Sequence, residues 1–564
     1  MARSIYSITD KKTMNKDIKN VASLAVLSLL FFVPFIGHVH LFDWDEINFA
    51  ESAREMLLTG DYLRVQIFFE PFWEKPPLFI WLQAYSMHLF GINEFAARFP
   101  NAIAGFFTLI SLYLIGKQLI NARFGMIWAL VYGSALLPFF YFKSGIIDPW
   151  FNLFIFLGIY FYIKAQIIQT SKEKYLPIIL SALFIGLAVL TKGPVAILIF
   201  GLVAIILLFK EKFKLHLRSS QVIVFVLMLT FVGGFWFLLQ IFTGNWQTVV
   251  DFFVYQVRLF KTEDAGHGGF LLYHFVILFF GVFPASAFAI YAHKKREGFN
   301  APTAYFRTGM LILLWVVLIL FTIVKTKIVH YSSLAYFPIS FLAAYALYYL
   351  ITSAKRLPIW IFLIQQITGL LISLAVMLLP LFDRYKQWFI DTGKITHSFT
   401  VGNLQANPGW MGWEWTIGLM LLAGILFALL WMRKGRVQKG LYLMAASCAF
   451  FMFFALLFVV PKIEKYSQNA AIEFMKSKSV EDVYVGTLYK SYAMLFYTNA
   501  KPVENKDIYR IGWLLRGPID KDAYFIVRKD KLEENLKAYP ELSIVEEKNG
   551  YVFLLRRAKV NENQ

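Results

Sequence analysis

Long apolar runs, repeated along most of the chain, are what most limits its fold. They fall at roughly 21–41, 99–119, 124–142, 146–166, 175–191, 194–209, 220–242, 270–292, 308–325, 332–351, 358–380, 414–432 and 440–460. The hydrocarbon core of a bilayer takes about 20 apolar residues of helix to cross. Backbone amides there must be satisfied within the segment, so such runs read as helices. On the length criterion they make about thirteen spans. A β-barrel would show short alternating segments instead. With 58% hydrophobic residues in 564, the chain lies outside the range of soluble domains. The expected fold class is a polytopic α-helical membrane protein.

Charge orients it. The net charge is +19, but the excess lies in alternate short loops. These hold Lys117 and Arg123; Lys164, Lys172 and Lys174; Lys210, Lys212, Lys214 and Arg218; Lys294, Lys295, Arg296 and Arg307; Lys355 and Arg356; Arg433, Lys434, Arg436 and Lys439. With the basic N-terminus they share one side, which the positive-inside rule makes cytoplasmic. That distribution speaks for membrane lipids and against nucleic acid. It leaves an acidic loop at 43–98, the 243–269 loop, the 381–413 loop and the C-terminal tail outside. No cleavable signal peptide is expected, because the first apolar run lacks a small-residue cleavage site. The lone Cys448 allows no internal disulfide and no multi-cysteine metal site.

Two domains are expected: a membrane part over 1–460, whose first outer loop carries the chemistry, and a soluble α/β domain over 461–564. In the latter, 482–485 and 522–527 read as strands. The stretches 467–476 and 529–536 read as helices, and 544–547 with 551–555 as a hairpin over Asn549-Gly550. In the first outer loop, an amphipathic helix starts near Asp45, capped by Asp43, and stops at Gly60. Residues 78–90, opened by Pro76-Pro77, are too short to span and read as juxtamembrane.

That loop gathers Asp43, Asp45, Glu46, Glu51, Glu55, Asp61, Glu70 and Glu74 beside hydrocarbon. Ionised groups there are costly and usually functional. Asp45 and Glu46 are candidate general bases or cation ligands; as plain structure they would balance the helix dipole. Prolines fix the direction of Glu74 and Lys75, and lysine suits a phosphate; otherwise Lys75 snorkels. Asp148, before Pro149, is either a helix cap or a second active-site carboxylate. Lys192, Lys325, Lys327, His330 and Tyr331 lie on the side that should be poor in cations, where charges meet anions. Arg54 and Arg258 are further phosphate-binding candidates, and His267 sits in a glycine-flanked outer loop able to act as a lid.

The motifs Asp45-Glu46, Ala50-Glu51, Ala53-Arg54-Glu55-Met56, Gly60-Asp61, Phe72-Trp73-Glu74-Lys75-Pro76-Pro77-Leu78 and Phe90-Gly91-Ile92-Asn93-Glu94-Phe95-Ala96-Ala97-Arg98-Phe99-Pro100 together resemble the bacterial aminoarabinose transferases of lipid A. Those belong with the protein O-mannosyltransferases among GT-C membrane glycosyltransferases. The likeness continues through Asp148, Leu190-Thr191-Lys192-Gly193-Pro194, His267, Lys325-Thr326-Lys327 and His330-Tyr331. It implies an inverting enzyme that moves a sugar from a polyprenyl-phosphate carrier to a lipid or other glycan acceptor. The setting would be the periplasmic face of the bacterial inner membrane. It further implies that Asp45 is the essential carboxylate and that Lys75 contacts the carrier phosphate. Glu74 with His267 would hold a divalent metal, Zn or Mg/Mn. Many relatives carry Arg-Tyr two residues after the Asp-Glu pair; this chain has Asn48-Phe49, which leaves sugar and acceptor open. The competing readings are a transporter or flippase of lipid-linked glycans, a protein O-glycosyltransferase and a structural assembly protein.

Overall fold

The structure is a computed structural model that describes residues 2–214, 216–261 and 268–558. Among them, nine helices are long and apolar enough to cross a membrane, from Glu94–Leu119 to Val437–Lys465. Two further candidates are bent pairs: Ala122–Gly133 with Leu136–Phe142 at 77°, and Tyr273–Gly281 with Ala285–Tyr291 at 109°. The first bend falls where Ala135 turns extended. The second falls at Pro284, which lacks the N–H that a continuous helix needs. Val195–Lys210 is apolar but only 16 residues long. The first apolar run ends the helix Ala2–Phe32 and continues as non-helical chain. The chain is thus a multi-pass membrane protein with nine to eleven spans by length and composition among the described residues. The sequence count of about thirteen differs because it treats the first run and the short helix as spans of their own.

Contacts between loops sort them onto two faces. The 43–98 loop meets the end of the Ser219–Phe242 helix, where the Trp236 indole and the Gln240 amide donate to Leu63 O at 2.8 and 2.7 Å. It meets the next helix, Trp246–Lys261, through Glu74 and Tyr255. The 381–413 loop joins the C-terminal domain where Gly550 N–H donates to Asn403 Oδ1. Basic loops meet at the other face: Asn121 donates to Tyr348, Arg123 to Gln438, and Arg433 to Leu357 O. The four segments that the charge pattern separates from the basic loops therefore share one face.

The C-terminal part carries a four-stranded sheet. Tyr484–Thr487 runs parallel to Ala523–Arg528, which pairs antiparallel with Tyr551–Arg556, itself paired to Ser543–Lys548. The last two form the hairpin over Asn549-Gly550, with Asn549 at φ +56°. Small polar side chains tolerate that left-handed backbone best after glycine. This domain does not stand apart from the membrane part. Ile47, Ala50, Ala53 and Met56 of the 43–98 loop share a core with Met475, Met494, Leu495 and Phe496. Each large apolar side chain buried there contributes about 1.5–3 kcal/mol. That exceeds the ~1 kcal/mol of a single hydrogen bond across the same interface. The change of composition near 460 marks a change of surroundings, and the core runs across it.

Candidate active site

The loop helix spans Asp45–Thr59, with Trp44 at the cap position and no side chain capping it. Asp43, expected as the cap, is not one: its own N–H donates to Gln468 Oε1 at 3.3 Å. Glu46 instead ties the first turn back, accepting from Phe42 N–H at 2.7 Å. The helix ends as expected on Gly60, at φ +70°, whose N–H bonds Met56 O. Without a cap to make, Asp45 is left to face away from the helix axis.

Three charged residues of this region serve structure, against expectation. Glu46 is buried and forms a two-pronged pair with Arg98 at 2.8 and 2.8 Å. It also accepts from Gly145 N–H. Arg98 spends its other donors on Ile36 O, Val39 O and His40 O at 2.7, 2.7 and 2.8 Å. With both oxygens engaged, Glu46 is a clamp rather than a base. Arg54 grips Glu51 at 2.8 and 2.6 Å and Ala500 O at 2.6 Å, so it faces the C-terminal domain and not a phosphate. Lys327 donates to Phe321 O, Thr322 O and Val324 O at 2.9, 2.7 and 2.6 Å. It closes the end of the Ala301–Ile323 helix, whose last carbonyls need donors.

Glu55 is buried one turn from Glu51. Burial, with the like charge of Glu51 beside it, pushes its carboxyl well above the usual carboxylate range. The unfolded chain ionises this group near pH 4.3, while the folded chain keeps it protonated. The folded state therefore binds more protons above that pH, and the contribution of Glu55 to stability falls as pH rises. Glu55→Gln is accordingly expected to raise the melting temperature at pH 8, with the gain vanishing toward pH 4. Thermal unfolding of the detergent-solubilised protein across that range checks it; a gain independent of pH would contradict the assignment.

A cavity of about 380 Å³ opens between this loop and the membrane helices. Asp45, Glu74, Lys75, Asp148, Lys192 and His330 all line it. Asp148 starts the Asp148–Ile167 helix, with Pro149 in its first turn and no capping bond. Its carboxylate goes to Lys192 Nζ at 2.6 Å instead. Lys192 ends the Tyr175–Lys192 helix, with its ammonium 5.5 Å from the rings of both Phe151 and Tyr331. Gly193 follows at φ +93°, and a Cβ there would come within 2.6 Å of the Phe252 ring. Glycine thus lets the Trp246–Lys261 helix close over Lys192.

His330 Nε2 lies 3.4 Å from Asp45 Oδ2. Glu74 accepts from the Tyr255 hydroxyl at 3.0 Å, and Gln256 donates to its carbonyl at 3.4 Å. Lys75 points across the Tyr255 ring at 5.3 Å. Burial pushes its ammonium below the ordinary lysine value, and Glu74 and Asp45 pull it back. The charges of Asp148 and Lys192 reach Lys75 as well, so the cavity holds one coupled set of acids and cations. Such a set suits an anion that is also a leaving group: the cations stabilise the charge that develops on it, and a free carboxylate can take a proton.

Arg258 stands 5.0 Å from the Tyr255 ring, and Lys325 is exposed; neither lines the cavity. His267 lies outside the described residues. Among the described residues no three His, Cys, Asp or Glu side chains gather as a metal site. Glu74 alone does not make a donor set for a divalent ion. Sequence reasoning passed over Tyr255, which aims Glu74 and Lys75; its spacing of three from Arg258 on one helix face was the available signal. It also passed over Asn152, a cavity residue one turn after Asp148 that donates to Ser333 Oγ at 2.7 Å.

Comparison with known proteins gives first a class. The family described as dolichyl-phosphate-mannose-protein mannosyltransferase matches residues 74–238. Two relatives are more particular. An undecaprenyl phosphate-alpha-4-amino-4-deoxy-L-arabinose arabinosyl transferase of Yersinia enterocolitica is 27% identical over 336 residues, 57% of this chain and 59% of that protein. Its namesake from Pectobacterium carotovorum is 25% identical over 344 residues, 58% of each. The chain thus spans under two thirds of the length of the curated relatives it matches. The crystal structure of ArnT from Cupriavidus metallidurans bound to undecaprenyl phosphate superposes with a TM-score of 0.73 at 18% identity. It covers 96% of this chain and 99% of that one. This chain resembles that group in sequence and has the ArnT fold.

Proposed function

We propose that the chain is a glycosyltransferase that takes a sugar from a polyprenyl-phosphate carrier and passes it to a lipid, lipid A-like or other envelope acceptor. The reaction would run at the periplasmic face of a bacterial inner membrane. In this reading the chain crosses about thirteen times, with a cytoplasmic N-terminus and a periplasmic C-terminal domain. One observation supports the reading: acids and cations converge in a cavity, and a separate, largely apolar groove lies further along the same two helices. Val195 and Ile199 line the cavity, and Leu202 and Ile206 extend the same helix face into a groove of about 430 Å³. Ile319, Leu320 and Ile323 form its other wall, next to Phe321 and Val324 of the cavity. A phosphate at Lys75 and Lys192 with its isoprenoid chain in that groove satisfies both surfaces. Undecaprenyl phosphate bound to the ArnT structure belongs to this ligand class.

In the reaction, an acceptor oxygen attacks the anomeric carbon as the bond from that carbon to the carrier phosphate oxygen breaks. The phosphate leaves with the bonding pair, and Lys75 and Lys192 hold its charge. For a hydroxyl acceptor, Asp45 takes the proton; for a phosphate acceptor already ionised, it orients the nucleophile. A single displacement inverts the anomeric configuration. The relatives' names specify 4-amino-4-deoxy-L-arabinose as their sugar; Asn48-Phe49 keeps the sugar open here. Asp148 restrains Lys192 and leaves its remaining donors for phosphate. A divalent ion would need ligands beyond Glu74, His267 among them.

The test is transfer from a panel of polyprenyl-phosphate sugars in membranes holding the protein, with carrier binding measured separately. Lys75→Ala should weaken undecaprenyl phosphate binding by about ten- to a hundredfold, the worth of one charge-assisted hydrogen bond. Wild-type membranes that neither bind the carrier nor transfer from any member of the panel would sink the reading.

A further inference from the structure

The donor accounts for the cations inside the cavity and for the groove, but not for the rim that the C-terminal domain contributes. Residues 489–492 of that domain lie over the start of the loop helix. The Tyr492 ring sits 5.4 Å from that of Trp44 and 5.5 Å from that of Phe68. Ser491 lies at the Asp43 carboxylate. Trp44 lines the cavity and is followed directly by Asp45. On the Trp44 ring, at 4.2 Å, stands the ammonium of Lys490. Lys490 is exposed and makes no ion pair among the described residues; Lys501 and Lys537 are likewise unpaired there, but Lys490 is the one held on a ring that lines the cavity. Lys478, Lys521, Lys529, Lys531 and Lys548 are each paired with a carboxylate. A lysine held over an aromatic ring keeps its charge while its position is fixed.

The apolar groove brings the donor from between two membrane helices. The acceptor therefore has to reach Asp45 from the side roofed by the C-terminal domain, past Trp44. We propose that Lys490 selects the acceptor by binding an anionic group on it, a phosphate monoester or similar, one ring away from the base. This rests on the glycosyltransferase reading and adds the residue that recognises the second substrate. It also assigns the C-terminal domain a part in recognition, with Trp44 as the shared wall between acceptor rim and cavity.

Binding to the full-length protein in detergent tests it without requiring turnover. Three probes are used: lipid A with its phosphates, the same lipid with the phosphates removed, and undecaprenyl phosphate. Lys490→Glu should weaken binding of phosphorylated lipid A by about tenfold, a charge reversal at a partly exposed rim. Lys490→Ala should weaken it less, and Lys490→Arg should retain it. Added salt should erode the wild-type advantage, because exposed charge pairs are screened. Dephosphorylated lipid A and undecaprenyl phosphate should bind all four proteins alike. Equal affinity of wild type and Lys490→Glu for phosphorylated lipid A overturns the proposal. So does an equal loss for all three probes, which would mean that Lys490 only holds the roof in place. Wild type that neither binds undecaprenyl phosphate nor transfers from any carrier-linked sugar overturns the donor reading, and this one with it; the proposal alone falls if the carrier binds and the lysine variants match wild type.

Discussion

Asp45→Asn is expected to lower transfer by about a hundred- to ten-thousandfold, the range for a lost general base, while the protein folds and still binds its carrier. The reason is geometric. Asp45 makes no capping bond, and the His330 imidazole lies 3.4 Å from its carboxylate. The amide is isosteric and can keep that contact, so the fold has little to lose. What disappears is the carboxylate's basicity at the wall of the cavity. The contrast with Glu46, its sequence neighbour, sharpens the test. Measured kcat with an unchanged carrier affinity would assign the loss to chemistry. A carrier affinity that falls in step with kcat would instead make Asp45 a binding residue. Full activity would remove it from the site.

Arg98→Leu is expected to cost about 3–5 kcal/mol of stability, the loss seen when one partner of a buried pair is removed. Glu46 would keep a buried charge with its two prongs gone, and Ile36 O, Val39 O and His40 O would lose their donor. Those carbonyls belong to the chain that leaves the first helix, and Gly145 belongs to the stretch before Asp148. The Arg98–Glu46 pair thus fastens two approaches to the cavity. The double variant Arg98→Leu with Glu46→Leu should recover part of the loss, since replacing both partners by apolar groups removes the stranded charge. Unfolding in detergent, read as a double-mutant cycle, decides; a cost for Arg98→Leu under about 1 kcal/mol would put the pair in the class of exposed ones.

The two neighbours Asp45 and Glu46 also mark how far sequence reasoning reaches. The membrane-spanning class, the helix Leu78–Phe90, the stop at Gly60 and the Asn549-Gly550 hairpin were legible because each follows from short-range chemistry. Thirteen apolar runs do not say which bend, because the bends depend on Ala135 and Pro284 in contact with other helices. Glu46 and Arg54 looked like site residues because an acid or a cation beside hydrocarbon reads the same whether it meets substrate or a buried partner. Glu46 finds its partner 52 positions on, at Arg98, and Arg54, besides its local pair with Glu51, reaches Ala500 in the last part of the chain. Lys192 and Asp148, 44 positions apart, were named singly, but only the fold brings them into one pair. Local spacing registers neither kind of neighbour.

The core that joins the 43–98 loop to residues near 475 and 496 has a consequence for how the protein comes into being. The loop helix is made early and packs at once against Ile80, Ala84 and Ala96, but the rest of its apolar complement, near residues 475 and 496, arrives only much later in synthesis. Helices in the bilayer can settle in order as they are made, domain by domain. The loop helix bearing Asp45 cannot, because its underside is supplied by the other end of the polypeptide. The protein thus acquires its cavity wall last, after the membrane scaffold is complete.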